Sequence, residues 1–154
     1  MKVSAVFFFD HEKENRKKLF EKALFHTKDG KVLYILQEEL NEIPELSFDF
    51  SSIERHYIKM ISFLYTINKM SLVESLASLT EWQYVPSTII LDSLDKFSTK
   101  TNMQSACSIV ALFLDSAKSC SLTNNTTCHL YIAVSKEVFN EENFNLIQEL
   151  YMSL

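Results

Sequence analysis

The chain alternates short, almost uniformly apolar runs with longer segments of helical periodicity, and that alternation restricts it to few architectures. "VSAVFFF" (Val3–Phe9), "KVLYIL" (Lys31–Leu36), "TIIL" (Thr88–Leu91) and "CHLYIAVS" (Cys128–Ser135) lack the in-out pattern of a sheet with one wet face. Runs of that kind suit strands covered on both sides. Between them fall "HEKENRKKLFEKALFH", then "SLVESLASLTEW" with Leu72, Leu76 and Leu79 at helical spacing, and "NMQSACSIVALFLDSAKSC" (Asn102–Cys120). A last amphipathic segment, "NEENFNLIQELYMSL", closes the series. The alternation predicts an α/β fold: one three-layer domain spanning residues 1–154, with a mostly parallel central sheet and helices on both faces. Asn102–Cys120, apolar nearly all round, is expected to be well buried. Ile53–Tyr65 reads as a strand, with a helix as the alternative because the run is long. Asp10 is expected to cap the first helix, and Gly30 to serve as its C-cap or as a turn residue.

Composition sharpens one question. The 154 residues include a single glycine, Gly30, and two prolines, Pro44 and Pro86. Sharp turns must be made by Asn, Asp, Ser or Thr, and sites needing a close backbone approach are nearly ruled out. Yet "PSTIILDSLDKF" ends a strand-like run on Asp92, where nucleotide-hydrolysing α/β proteins hold Mg²⁺ opposite a glycine-rich phosphate loop. That loop would lie between the first strand and the first helix, at "VFFFDHEKENRKKLF", which has no glycine and no Gly-Lys-Ser/Thr. Asp92 is therefore read as a degenerate nucleotide-site position, or as a turn cap together with Ser93 and Asp95. The enzyme alternative is a weak ATPase with a non-standard phosphate site at the N-terminus of the helix after Asp10.

The net charge of −5 argues against an autonomous nucleic-acid binder. Cys107, Cys120 and Cys128 are odd in number and follow no signal peptide, so reduced thiols are expected. Cys128-His129 has no partner pair at zinc spacing, so no metal site is expected, and no apolar run looks long enough to cross a bilayer. His11, His26, His56 and His129 are scattered, with no nucleophile in a recognisable setting.

The segments "KVLYILQEELNEIP", "IKMISFLYTINKMSLVESLASL", "PSTIILDSLDKF", "ACSIVALFLDSAKSC" and "CHLYIAVSKE" follow one another in an order that resembles the SWS-associated protein family. These are RecA-like recombinase paralogues that pair with a SWIM-domain zinc protein in animal Shu complexes. The resemblance runs from about Lys31 to Glu137 and lies in the succession rather than in any one motif. It implies a minimal RecA-like domain acting in the nucleus; no cofactor is expected, because this sequence departs from the family by having "FFFDHEKENRKKLF" where the phosphate loop would stand. Its partners would be the SWIM-domain protein, a recombinase and, through the complex, single-stranded DNA, with no membrane. Of the family's nucleotide-site signature only the Asp92 position matches.

Other residues are weighed beside that resemblance. Lys13, Arg16, Lys17, Lys18 and Lys22 form the main basic concentration and are candidate DNA contacts, interleaved with Glu12, Glu14 and Glu21 as a solvated helix face would be. Phe20 and Ala23 in "FEKA" fit the F-x-x-A pattern by which recombinases dock, and also fall on a core face. Phe144, Ile147, Leu150 and Tyr151 share one side of the last helix, suited to docking a partner or to packing on the sheet. A small sheet with two unpaired edges is expected to cover them with other proteins; the least specific reading is a generic α/β adaptor.

Overall fold

The computed structural model describes residues 2–49, 53–98 and 101–153. Strands β1 (Val3–Asp10), β2 (Val32–Leu36), β3 (Ile61–Tyr65), β4 (Thr88–Leu91) and β5 (Cys128–Ser135) alternate with helices α1 (Glu12–His26), α2 (Arg55–Ile58), α3 (Lys69–Ala77), α4 (Met103–Asn124) and α5 (Glu141–Ser153). The strands form one sheet in the order β1-β5-β4-β2-β3, every pair parallel. The expected three-layer α/β domain, RecA-like in its minimal form, is what the chain adopts.

The uniformly apolar strands follow from burial on both faces. Leu33, Ile35, Ile89, Leu91, Leu130 and Ile132 pack beneath α3, α4 and α5. The alternate positions Tyr34, Leu36, Ile90 and Ala133 meet Leu19, Phe20 and Ala23 of α1, together with Leu40 and Leu46 from the segment after β2. One face thus carries three helices. The other carries α1 and the acidic loop after β2, with the short α2 beside them.

Local departures have simple causes. Ile53–Tyr65 is neither one strand nor one helix: α2 makes a single turn and β3 begins three residues later. The expected helix Ser71–Trp82 is α3, capped by the Asn68 side chain on the Ser71 N–H at 3.0 Å, followed by a separate 3₁₀ turn at Leu79–Glu81. Helix α4 runs on to Asn124, beyond Cys120, until Asn125 adopts a left-handed conformation (φ 54°) and stops it. At 22 residues α4 is long and apolar enough to cross a membrane, contrary to expectation, yet Ala106, Ile109, Val110, Phe113 and Ala117 are buried in the core. Gly30 is a turn residue and not the cap of α1: its φ is +142°, and a β-carbon there would lie 2.8 Å from Ser87 Oγ. Cys120 and Cys128 are buried thiols, pushed up to about 11 and about 12 by desolvation.

Candidate functional site

The carboxyl ends of β1, β5, β4 and β2 bring together Asp10, Ser135, Asp92 and Gln37, the end of the sheet where open α/β folds bind ligands. The Asp92 carboxylate, 4% exposed, accepts hydrogen bonds at both oxygens there. Arg16 donates to it twice, Nε to Oδ2 at 3.1 Å and Nη2 to Oδ1 at 2.7 Å, and the Tyr34 hydroxyl donates to Oδ2 at 2.6 Å. Arg16 reaches it because it lies three, four and seven residues before Leu19, Phe20 and Ala23, on the core-facing stripe of α1. Tyr34 arrives from β2, its ring 5.0 Å from that of Phe20.

A fork-on-carboxylate pair of this kind is strong and geometrically exacting, and a buried carboxylate requires such a partner. The bond to Asp92 raises the Arg16 pKa above its usual range. Burial first, and then the Asp92 charge, hold the Tyr34 hydroxyl well above the ordinary tyrosine range. Both donors therefore remain protonated throughout the physiological range. Glu12 extends the network, 3.5 Å from Arg16 and 3.9 Å from Lys96. The adjoining cavity of about 240 Å³ is lined by Glu12, Glu38, Glu39 and Glu42 against Arg16 and Lys96, an acidic mouth that disfavours phosphate.

The N-terminus of α1 is also supplied with carboxylates. Asp10 is not the cap: it belongs to β1, and its carboxylate accepts the His11 N–H (2.8 Å) and the Lys18 ammonium (3.2 Å), which hold it below the usual range. His11 occupies the cap position without a side-chain bond. The Glu12 N–H instead donates to Glu137 Oε1 at 3.4 Å, arriving from the turn after β5. Asn15 ties the helix down by donating to the Asp10 and Val134 carbonyls at 2.9 and 3.0 Å. The dipole that would attract a phosphate faces the chain's own anions.

The turn-cap reading of Asp92 is thereby corrected. Asp95 ties the neighbouring strands, accepting the Ser135 N–H at 2.9 Å, and burial raises its pKa. The basic cluster divides. Arg16 is committed to Asp92 and Lys18 to Asp10. At 100° per residue, Lys13 and Lys17 project well away from Lys18 and Lys22, so no continuous cationic strip forms. Lys13 and Lys17 line an open depression with Glu12, Glu14, Glu42, Glu45 and Glu137. Phe20 (4% exposed) and Ala23 (0%) are core residues, so the F-x-x-A pattern offers nothing at the surface. Ile147 is fully buried, Phe144 stacks on Phe9 at 4.6 Å, Tyr151 lies 5.7 Å from Phe7, and Leu150 packs on the same core. That face of α5 is spent on its own sheet. Among the described residues no group of three or more His, Cys, Asp or Glu is placed to hold a metal ion.

Beside β3 the sequence left an apolar groove unread. Phe20, Leu24, Leu40, Ile43, Ile58, Ile61, Phe63 and Tyr65 surround about 280 Å³, with Phe63 39% and Tyr65 44% exposed. Glu42 lines it as well, within a segment whose exposed Glu38, Glu39, Glu42 and Glu45 form no ion pair among the described residues. The signal available in sequence was the alternation Ile61-Phe63-Tyr65, which puts three large apolar side chains on one face of a short strand. No protein-family model and no curated protein matches the chain.

Proposed function

We propose that the chain is a non-catalytic RecA-like subunit of a Shu-type complex, pairing with a SWIM-domain zinc protein in the nucleus and supporting recombinase filaments on single-stranded DNA. The observation that carries this reading is the ion pair at the strand ends: Arg16 bonds both Asp92 oxygens and sets its positive charge against the carboxylate, where a Mg²⁺ ion would have to compete with it. A pseudo-ATPase acts through its surfaces. The apolar groove beside β3, with Glu42 on its wall and Glu38, Glu39 and Glu45 in the same exposed segment, is the surface such a subunit would offer a partner segment that combines basic and apolar residues. DNA contact, on this reading, belongs to the assembled complex, because on α1 Arg16 and Lys18 are paired and Lys13 and Lys17 stand among carboxylates.

Two measurements test the proposal. Titration with a fluorescent ATP analogue and Mg²⁺ is expected to show no saturable binding; saturation at micromolar nucleotide would refute the pseudo-ATPase. Co-expression with a SWIM-domain protein is expected to give a co-purifying complex that Phe63→Glu or Tyr65→Glu disrupts. Absence of any complex with the parent chain would leave the generic adaptor as the better reading.

A further inference from the structure

The two edges of the sheet are built differently. β3 has five residues and lies beside the acidic segment 37–49. β1 has eight, in unbroken register with β5 from Val3↔Cys128 to Asp10↔Ser135, with no bulge, proline or lysine inside it. Bulges, prolines and lysines are among the devices that keep sheet edges apart, and β1 has none of the three, its one charge being Asp10 at its end. The Cys128 N–H donates to the Lys2 carbonyl and the Lys136 N–H to the Asp10 carbonyl. In a parallel ladder this phase commits the even-numbered residues of β1 to β5 and turns the N–H and C=O of Val3, Ala5, Phe7 and Phe9 outward. No residue of β1 is fully buried, and Val6 is 40% exposed.

We propose that β1 pairs with β1 of a second copy, antiparallel about a twofold axis through Val6, joining the two sheets into one. Backbone and side chains select the same register. Placing Val3 opposite Phe9 of the second copy, and Ala5 opposite Phe7, matches all four outward residues in mutually hydrogen-bonded pairs; a shift of two residues leaves some unmatched. In this register a small residue meets a large one at Ser4–Phe8, Ala5–Phe7 and Val3–Phe9, and Val6 meets its own copy. It also sets the exposed Lys2 against Asp10 at both ends of the ribbon, so its charges are complementary. The twofold keeps both α1 helices on one face and leaves β3 and its groove free.

Light scattering on the full chain at micromolar concentration is expected to give twice the 17.9 kDa monomer mass. Ala5→Pro removes an outward N–H while leaving the ladder to β5 intact, and is expected to give a folded monomer. Should that variant fail to fold, Lys2→Glu provides the second reading, shifting the equilibrium toward monomer by placing like charges at both ends. Register is read by cysteines. Val6→Cys at the axis, where paired Cα atoms approach to about 4.5 Å, is expected to form an interchain disulfide, and Ser4→Cys, opposite Phe8, is not. A monomeric parent chain, a dimer that survives Ala5→Pro, or equal cross-linking of the two cysteine variants would each overturn the pairing.

Discussion

The two ends of the sheet solve the same problem, a polar cluster under α1, in opposite ways. At the carboxyl end Arg16 and Asp92 form an ion pair that the Tyr34 hydroxyl completes by donating to the carboxylate. At the amino end His26, 4% exposed and with its pKa lowered by burial, is hydrogen-bonded: Nε2 lies 2.7 Å from the Tyr131 hydroxyl, Nδ1 3.3 Å from Asp29 Oδ2, and the ring stacks on His129 at 4.3 Å. One helix therefore carries an ion pair near its start and a titratable group at its last residue. The difference teaches where this fold tolerates charge. A buried charge is accepted only where a forked partner reaches it, and elsewhere burial drives the group to its neutral form.

The largest expected effect comes from breaking the ion pair on one side. Arg16→Met leaves the Asp92 carboxylate buried with Tyr34 alone, and should cost about 3 kcal/mol, the low end for a broken buried pair because Arg16 is partly exposed. Urea unfolding measures it; a loss below about 1 kcal/mol would mean that water already screens the pair. Arg16→Met, Tyr34→Phe and Asp92→Leu combined should recover most of that loss, since replacing every partner by an apolar group is often nearly neutral, whereas a lone Tyr34 hydroxyl would stay buried and unpaired. Next comes Tyr34→Phe, which removes one hydrogen bond to a charged acceptor and keeps the ring against Phe20 and Phe63. About 1.5–2 kcal/mol is expected, read in the same assay.

How much of this was legible in the sequence follows the same division. The sheet could be read because Val32–Leu36 and Thr88–Leu91 are apolar at every buried position but Thr88, a pattern that backbone periodicity alone dictates. That no G-x-x-x-x-G-K-[ST] string stands between the first strand and the first helix was equally plain, being a matter of local spelling. The Arg16, Tyr34 and Asp92 triad was not legible as a triad, because its members are 76 and 58 residues from Asp92 and meet only through the packing of α1 on β2 and β4. One signal was present and misjudged. Arg16 stands on the same stripe as Leu19, Phe20 and Ala23, and an arginine on a core stripe implies a buried acid opposite. Glu137 and the Asp10–His11 junction were hidden for another reason: a cap supplied from 125 residues away leaves no mark on the helix it caps.

The smaller effect belongs to the amino end and is carried by pH. Burial, and then the neighbouring His129, lower the His26 pKa; the Asp29 carboxylate opposes this, and Lys22 adds to it. The folded chain thus binds that proton less readily than the unfolded chain, whose histidine titrates near its ordinary 6.5. Stability from this group is intact above that value and is lost as pH falls below it, by at most about 1.4 kcal/mol for each unit the folded pKa is depressed. Asp10 and Glu21, both held low by hydrogen bonds, have the same sign, but their losses begin only near the ordinary carboxylate range. Asp95, raised by burial, has the opposite sign. Melting temperatures of the parent chain and of His26→Gln, measured between pH 7 and pH 5, isolate the histidine. The parent should lose stability across that interval while the variant stays nearly flat. Parallel curves would show that His26 takes up its proton as easily inside the fold as outside it, and that the amino end tolerates charge as the carboxyl end does.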